Sequence, residues 1–309
     1  MTRKMFLYLI QGRKENVLKY FNLQNANSDL ITLTFDFKIF DDDLKSILNI
    51  YLPKSSWAEG RNKQLEEAKK LETEYLYYIF VDDDVEFVKG NFRDFEQKLI
   101  KYKPAIGLPL LKILKATNRF NPKLNIQHPV AIDQQVQAYH HKVLRESIVM
   151  PLETKFDNLS WWYSCEINGF LILSYYRGYI MQFNDIIVDN VGHYWDGETN
   201  KSNDITSNYL GGITSRGLEL VREHIEGKYG LQPKLRNTLF HDNNFKKHSY
   251  LPQGKYLQQF YIQNILKSNF KKCIKMFILQ LKNNFKKYPN DLILNEKEIK
   301  RFEDEISNS

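Results

Sequence analysis

The sequence is poor in cysteine and has no long hydrophobic run. Its two cysteines, Cys165 and Cys273, lie far apart, which argues against a disulfide framework and is compatible with a reducing compartment. No apolar stretch approaches the ~20 residues that a bilayer-spanning helix needs. The apolar run at residues 5–10 is shorter than the core of a signal peptide, and Arg13 follows it closely. We therefore expect a cytoplasmic protein, either free or peripheral at the inner face of a membrane.

Acidic residues are missing from one long segment. Residues 246–289 contain ten lysines and neither aspartate nor glutamate. The formal net charge of the whole chain is +7, so subtracting those ten charges leaves about −3 for the rest. Apolar residues recur at helical spacing from Phe270 to Phe285, with lysines between them, which predicts a basic amphipathic helix. Such a helix either lies on an anionic membrane surface or packs its apolar stripe on the rest of the chain.

The most informative stretch is a β-prone run that ends at three consecutive carboxylates. Residues 75–81 are almost continuously apolar or aromatic, which indicates a strand buried on both faces. Asp82, Asp83 and Asp84 follow at once. Three adjacent acids repel one another unless a cation or solvent screens them. The stretch predicts either a divalent-metal site or a solvated acidic turn.

The first third of the chain alternates between strand and helix patterns. Further strands are predicted at residues 5–10, 29–35 and 105–111, with Pro109 favouring an edge or a bend in the last of them. Helices are predicted at residues 14–22, 53–71 and 91–102, the second beginning with a capping box formed by Ser56 and Glu59. This alternation predicts an α/β fold with a mostly parallel sheet flanked by helices.

Three polar residues stand where nucleotide contacts occur in such folds. Gln11 lies in the exit turn of the first strand, and Asp36 follows the second, where a carboxylate can bind a ribose or a base. Arg61 lies in the first turns of the helix at 53–71, within reach of a diphosphate. Each also fits a simpler interpretation, as a polar loop residue or an exposed arginine.

A second informative block runs from residue 156 to residue 193. Trp161 and Trp162 precede Glu166, which we expect near the start of a helix continuing through residues 169–176. Short strands are predicted at 179–183 and 186–188, and Leu218 begins a charged helix that ends near residue 229. His193 is a candidate metal ligand through a neutral imidazole nitrogen, and His241 competes for the same role.

In this order the motifs resemble the GT-A-fold glycosyltransferases typified by family 2. The resemblance covers roughly residues 1–230. It rests on the Gly60-Arg61-Asn62 turn, the Asp82-Asp83-Asp84 motif after a buried strand, the aromatic segment 161–163, Cys165-Glu166, the Gly178-Tyr179 turn and His193. The chain departs from the family where Cys165 replaces the first of two acids and where Asn168 stands at a position that is usually acidic.

The resemblance implies a metal-dependent transfer of a sugar from a nucleotide-sugar to a hydroxyl of a glycan or lipid-linked acceptor. It implies that Asp82 and Asp84, with His193, bind Mn²⁺ or Mg²⁺. Gln11, Asp36, Arg61 and Asp83 would bind the nucleotide. Glu166 would be the general base of an inverting single displacement, and Trp161 and Trp162 would stack on sugar rings.

The domain organisation that follows has two parts. Residues 1–230 would form the catalytic domain, with the nucleotide-sugar part at about 1–111 and the acceptor part at about 112–230. Residues 231–309 would form a basic helical extension. A UDP-sugar is the favoured donor, and surface polysaccharide biosynthesis is the favoured setting.

Two other function classes remain open from the sequence. A sugar-nucleotide-forming nucleotidyltransferase would also use metal-binding carboxylates, although residues 11–13 make a poor version of its Gly-rich basic loop. A nucleic-acid-binding protein would use lysines interleaved with aromatics. That class does not explain the acidic end of a buried strand, so we expect no nucleic-acid partner.

Overall fold

The computed structural model describes eight stretches of the chain. They are residues 4–39, 46–112, 125–129, 132–176, 179–190, 215–231, 234–236 and 239–241. His193 and the predicted basic helix lie outside these residues, and His241 is described only as the end of a strand. The division at residue 230 and the attachment to a membrane therefore stay predictions.

A nine-stranded mixed sheet forms the centre of the fold. Its strands are β1 (Phe6–Gly12), β2 (Ser28–Thr34), β3 (Leu48–Tyr51), β4 (Tyr77–Asp82), β5 (Val85–Lys89), β6 (Ile106–Leu111), β7 (Ile126–Gln127), β8 (Val136–His140) and β9 (Ile180–Asn190). They follow the order β3-β2-β1-β4-β8-β6-β9-β5, and β7 pairs with β9. Strands β10 (Lys234–Arg236) and β11 (Leu239–His241) form a separate antiparallel pair.

Most strands of the large sheet run in one direction. Strands β1 to β4 are mutually parallel. Strand β8 is antiparallel to both β4 and β6, so β6 again runs with β4, and β9 is parallel to β6. Only β5, β7 and β8 oppose this direction. This topology confirms the predicted α/β class with a mostly parallel sheet.

Within the described part of the chain, six α-helices accompany the sheet. They are α1 (Lys14–Val17), which continues as a 3₁₀ helix (Leu18–Leu23), α2 (Trp57–Ala68), α3 (Phe92–Tyr102), α4 (His141–Glu146), α5 (Trp162–Tyr175) and α6 (Ser215–Tyr229). The predicted capping box is present, because Ser56 accepts from the backbone N–H of Glu59 and Glu59 accepts from that of Ser56. Such a cap contributes about 1 kcal/mol and fixes where α2 begins.

Both faces of the sheet are packed. Along β1, Leu7 and Leu9 belong to one buried cluster, which also contains apolar residues of α2, α4, α5 and α6. Tyr8 and Ile10 point to the opposite face, where they belong to a second buried cluster. That cluster also contains Phe95 of α3 and apolar residues of the 3₁₀ helix. Alternation along a strand sends neighbouring side chains to opposite faces. The near-continuous apolar strands of the sequence follow from this burial on two sides.

Several predicted elements need correction. Pro109 lies in an interior strand, so its effect is the predicted bend, seen as a shift in the β6–β9 register after Pro109. The two short strands expected between residues 179 and 188 form one continuous strand, β9. Strands β3 and β5 were not predicted. Among the described residues, no helix has the length and apolar character that crossing a bilayer requires.

Candidate active site at the carboxyl end of β4

Three strands end together at one edge of the sheet. Asp82, the last residue of β4, is paired with Gln11 of β1, and Gly12 is paired with Thr34 at the end of β2. Asp83 and Asp84 form the turn that leads directly into β5. Carboxyl ends of parallel strands are where α/β sheets bind ligands. The acidic turn, Asp82-Asp83-Asp84, therefore lies at the expected position for a functional site.

Asp83 is held by the exit turn of β1. Its Oδ2 accepts hydrogen bonds from the Arg13 backbone N–H at 2.8 Å and from the Asn16 amide at 3.0 Å. A Cβ on Gly12 would lie 1.9 Å from the Asp83 carboxyl carbon, so only glycine allows this approach. Burial raises the pKa of Asp83, and the two donors oppose that rise. Asp83 therefore faces the exit turn of β1, and its nucleotide role stays a prediction.

Asp36 and Gln11 support the same turn. The backbone N–H of Lys14, one residue beyond Arg13, donates to Asp36 Oδ1 at 3.0 Å. Gln11 is buried, and its side-chain amide donates to the carbonyl of Trp57 at 3.1 Å, which ties β1 to the start of α2. Both residues thus shape the edge where a nucleotide would bind. Contact of either with a nucleotide stays a prediction.

Asp82 is bound by two donors from α2. Arg61 Nη2 lies 2.9 Å and the Trp57 indole nitrogen 3.1 Å from Asp82 Oδ1. The Arg61 side chain is 1% exposed and the Asp82 side chain 20% exposed, so the ion pair is largely removed from water. The guanidinium also lies over the Trp57 ring, 4.2 Å from its centre. Arg61 is therefore an internal side chain at the base of the site, not the exposed arginine that one sequence interpretation allowed.

Asp84 carries the clearest electrostatic signature. Burial raises its pKa to about 7, and the charges of Asp82 and Asp83 add to the rise, while a hydrogen bond from the Asn190 side chain opposes it. Asn190 ends β9 and is paired with Val85, so the end of β9 lies beside the acidic turn. The three carboxylates lie close together, and the pKa of Asp84 is far above its usual value. Such a cluster favours a cation.

The acidic turn fits a divalent cation of the hard class. Mg²⁺ and Mn²⁺ prefer oxygen ligands and are commonly bound by one or two carboxylates together with substrate phosphates and water. Asp82 and Asp84 supply such oxygens. Within the described residues there is no group of three or more histidine, cysteine or acidic side chains arranged to enclose a metal. Cation binding at the acidic turn therefore stays a prediction.

Three tryptophans form a column beside Asp82. Trp161 and Trp162 are stacked with ring centres 4.2 Å apart, and Trp57 lies 6.3 Å from Trp161. All three are partly exposed. Trp162 is the first residue of α5 and Trp161 its N-cap, so the expected aromatic loop before the helix is instead the start of the helix. The sequence did not single out Trp57, since its proximity to Trp161 arises only from tertiary packing.

Glu166 is a partly buried residue of helix α5. It stands in the second turn of α5, not at the helix start, and shares a helix face with Trp162 four residues earlier. Burial raises the pKa of the neighbouring Cys165 well above its usual value, so this thiol is neutral. The charges that act on Cys165 come from Arg61, Asp82, Glu166 and Asp133. Cys165 thus lies within electrostatic range of the Asp82–Arg61 pair and precedes Glu166 in the chain.

Asp133 is a site acid that the sequence analysis missed. It precedes β8, and its Oδ1 accepts from the Gln135 backbone N–H at 2.9 Å. Burial raises its pKa to about 6, the charge of Asp82 adds to this, and Gln135 and Arg61 oppose it. The only sequence signal was its position inside a weakly alternating pattern at residues 130–139, which is too common to identify a functional acid.

Comparison with known proteins gives structural likeness alone. No protein-family model and no curated protein sequence matches the chain. Similarity to solved structures extends over much of the chain at low sequence identity.

Three of these solved structures illustrate the likeness. S. aureus TarS 1-349 matches with a TM-score of 0.44 and 9% identity, over 73% of this chain and 72% of that one. The same TarS fragment in complex with UDP-GlcNAc gives 0.39 and 11%, over 74% and 73%. GalNAc-T7 with UDP, GalNAc and Mn²⁺ gives 0.41 and 11%, over 60% of this chain and 43% of that one. Because these TM-scores are low, the proposals below rest on the residues of this chain.

Proposed function

We propose that the protein is a metal-dependent glycosyltransferase acting on a nucleotide-sugar, with a UDP-sugar as the favoured donor. One observation carries the proposal: the acidic turn lies at the carboxyl end of β4, a central strand of the mostly parallel sheet. The acceptor is a hydroxyl of a glycan or a lipid-linked sugar, and the proposed setting is surface polysaccharide biosynthesis.

Each group of residues has a proposed part in the transfer. Asp82 and Asp84 supply carboxylate oxygens to Mn²⁺ or Mg²⁺, which when bound acts as a Lewis acid on the leaving diphosphate. His193 is proposed as a third ligand, because β9 ends at Asn190 beside Asp84. Gln11, Asp36, Arg61 and Asp83 shape the nucleotide side of the site.

The residues proposed to contact the acceptor belong to helix α5 and its N-cap. Glu166 would accept the proton of the attacking hydroxyl, and Trp161 and Trp162 would present flat apolar surfaces to sugar rings. In this arrangement the base activates the acceptor hydroxyl, while the cation stabilises the leaving diphosphate. The hydroxyl would then displace the diphosphate in a single step, with inversion at the anomeric carbon. Cys165 takes no part as a nucleophile in this proposal, because its thiol is buried and its pKa is raised.

A thermal-shift titration tests the proposal directly. UDP together with Mn²⁺ should raise the melting temperature by about 5 °C at a UDP concentration near 100 times its Kd. UDP with EDTA in place of Mn²⁺ should raise it far less, because the diphosphate would then meet three unscreened carboxylates. UDP-, GDP- and CMP-sugars are compared in the same buffer. Equal shifts with Mn²⁺ and with EDTA, or no shift with any nucleotide, would contradict the proposal.

The basic segment motivates a second, separate proposal. We propose that residues 246–289 attach the protein to the inner face of a membrane, since ten lysines without any acid suit anionic headgroups. The full chain should co-sediment with vesicles containing anionic lipid at low salt and should dissociate at high salt. Failure of the full chain to bind such vesicles would refute the attachment and would leave the proposed activity unaffected.

A further inference from the structure

A buried chain of hydrogen bonds connects the acidic turn to helix α5. Its members come from three elements: α2, β8 and α5. We call it the buried hydrogen-bond chain, and it consists of Arg61, Gln137, Tyr139 and Asn168. At one end Arg61 binds Asp82. At the other end Asn168 lies on the same helix as Glu166, two residues further along.

The links are direct contacts between side chains, while two buried donors of the chain, Arg61 Nε and the Gln137 amide nitrogen, have no hydrogen-bond partner among the described residues. Arg61 Nη1 donates to Gln137 Oε1 at 3.0 Å. The Tyr139 hydroxyl lies 2.8 Å from the same Gln137 oxygen and 3.3 Å from Asn168 Oδ1, and its single proton serves one of them at a time. The Asn168 amide then donates to the carbonyl of Val149 at 2.8 Å.

The side chains of this chain are almost completely removed from water. Arg61 is 1% exposed, Asn168 2%, and Gln137 is fully buried. Hydrogen bonds between buried polar groups are stronger than those between exposed groups. A buried polar group also needs a hydrogen-bond partner at a particular place, whereas an apolar side chain can pack against many different neighbours. The buried hydrogen-bond chain crosses a region that is otherwise packed with apolar side chains. It therefore fixes the positions of the two residues at its ends, Arg61 and Asn168.

Both ends of the path carry residues of the proposed reaction. Arg61 and the Trp57 indole converge on the same oxygen, Oδ1, of Asp82, which fixes the rotation of that carboxylate. Asn168 fixes the depth of α5 against β8, and Glu166 projects from the same helix. Misplacement of reacting groups by about 1 Å can lower a rate about 100-fold.

We propose that the buried hydrogen-bond chain holds the Asp82 carboxylate and helix α5 in one fixed geometry, which makes Gln137 and Tyr139 positioning residues. The inference rests on the proposed function, because the roles of Asp82 and Glu166 are those stated there. Removing a link in the middle of the chain should therefore alter cation binding at one end and turnover at the other.

The test removes one hydroxyl. In Tyr139→Phe the ring keeps its edge contact with Phe80, at 5.7 Å between ring centres, while the link between Gln137 and Asn168 is lost. The Kd of Mn²⁺ in the presence of UDP, measured by calorimetry, should rise about threefold to tenfold. The kcat for release of UDP from the UDP-sugar that stabilises best should fall by at least the same factor, with a smaller change in KM.

Tyr77→Phe is the matched control. Tyr77 is a fully buried tyrosine of β4 whose hydroxyl donates to the carbonyl of Pro104 at 2.7 Å, away from the acidic turn. Both variants lose one buried hydrogen bond, so both should melt at a lower temperature than the wild type. Only Tyr139→Phe should change Kd and kcat. If Tyr139→Phe merely lowers the melting temperature, as Tyr77→Phe does, the positioning role is overturned.

Asn168→Ala provides the second variant. It should change Kd and kcat in the same direction, and the double variant with Tyr139→Phe should lose little more than the worse single variant, because both break one path. If Tyr139→Phe does not fold, the Asn168→Ala variant alone tests the proposal. Multiplying effects in the double variant would overturn the inference. A wild-type protein that binds neither Mn²⁺ nor UDP would overturn the proposed function as well.

Discussion

Replacing Asp84 with asparagine should abolish the Mn²⁺-dependent stabilisation by UDP and lower UDP release from the donor about 10³-fold. Asparagine keeps the size of the side chain but removes the charge that attracts the cation, and a loss of about 4 kcal/mol of charge stabilisation corresponds to that factor. Thermal shift measures binding independently of turnover. The two measurements together separate loss of the cation from loss of the chemistry.

The same variant should not destabilise the protein in the absence of metal. The pKa of Asp84 is raised to about 7 because the carboxyl is buried and because Asp82 and Asp83 repel its charge. The neutral amide removes that repulsion, so the melting temperature in EDTA should be unchanged or higher. Glu86→Gln is the control, since it removes one exposed carboxylate from the adjacent strand β5. An Mn²⁺ response in Asp84→Asn equal to that of the wild type would exclude Asp84 as a ligand.

The sheet could be predicted where the signal was local and strong. Strands β1, β2, β4 and β6 are buried on both faces, and α2 carries its own start signal in Ser56 and Glu59. Strands β3 and β5 are the two edges of the sheet, and most of their residues are only partly buried or exposed. Edge strands lack the apolar pattern on which sequence prediction depends.

The acidic turn was predictable, and the partners of its carboxylates were not. An apolar strand that ends in three acids is visible in the sequence. That Asp83 binds the β1 exit turn while Asp82 binds α2 depends on which strands are neighbours. Arg61 shows the same limit: its place in the first turns of α2 was correct, whereas its burial against Trp57 follows from the packing of that helix on the sheet.

The proposed general base shows this difference between sequence and structure most clearly. The sequence identified Glu166 from motif order, and the structure adds Asp133, which acts on the same cysteine. Asp133 comes from the segment before β8, far from Glu166 along the chain, so no spacing rule connects the two. Glu166 and Asp133 are therefore both candidates for the proposed base, and substituting each of them distinguishes the two.

Replacing Glu166 with glutamine should lower kcat about 10²- to 10⁴-fold while leaving the KM for the donor and the Mn²⁺-dependent thermal shift nearly unchanged. Glutamine preserves the shape of the side chain and cannot accept the proton of the acceptor hydroxyl, and a positioned general base contributes a factor of this size. The combination of a large change in kcat with a small change in donor binding identifies a group that acts on the acceptor.

Asp133→Asn is the matched comparison, because it neutralises the other acid near Cys165. We expect its kcat to remain within about tenfold of the wild type, since a residue that only adjusts the charge around Asp82 contributes far less than a proton acceptor. If Asp133→Asn shows the larger loss and Glu166→Gln turns over normally, the base is Asp133. Glu166 would then be a partly buried polar residue of α5 without a catalytic role, and the assignment based on motif order would be wrong.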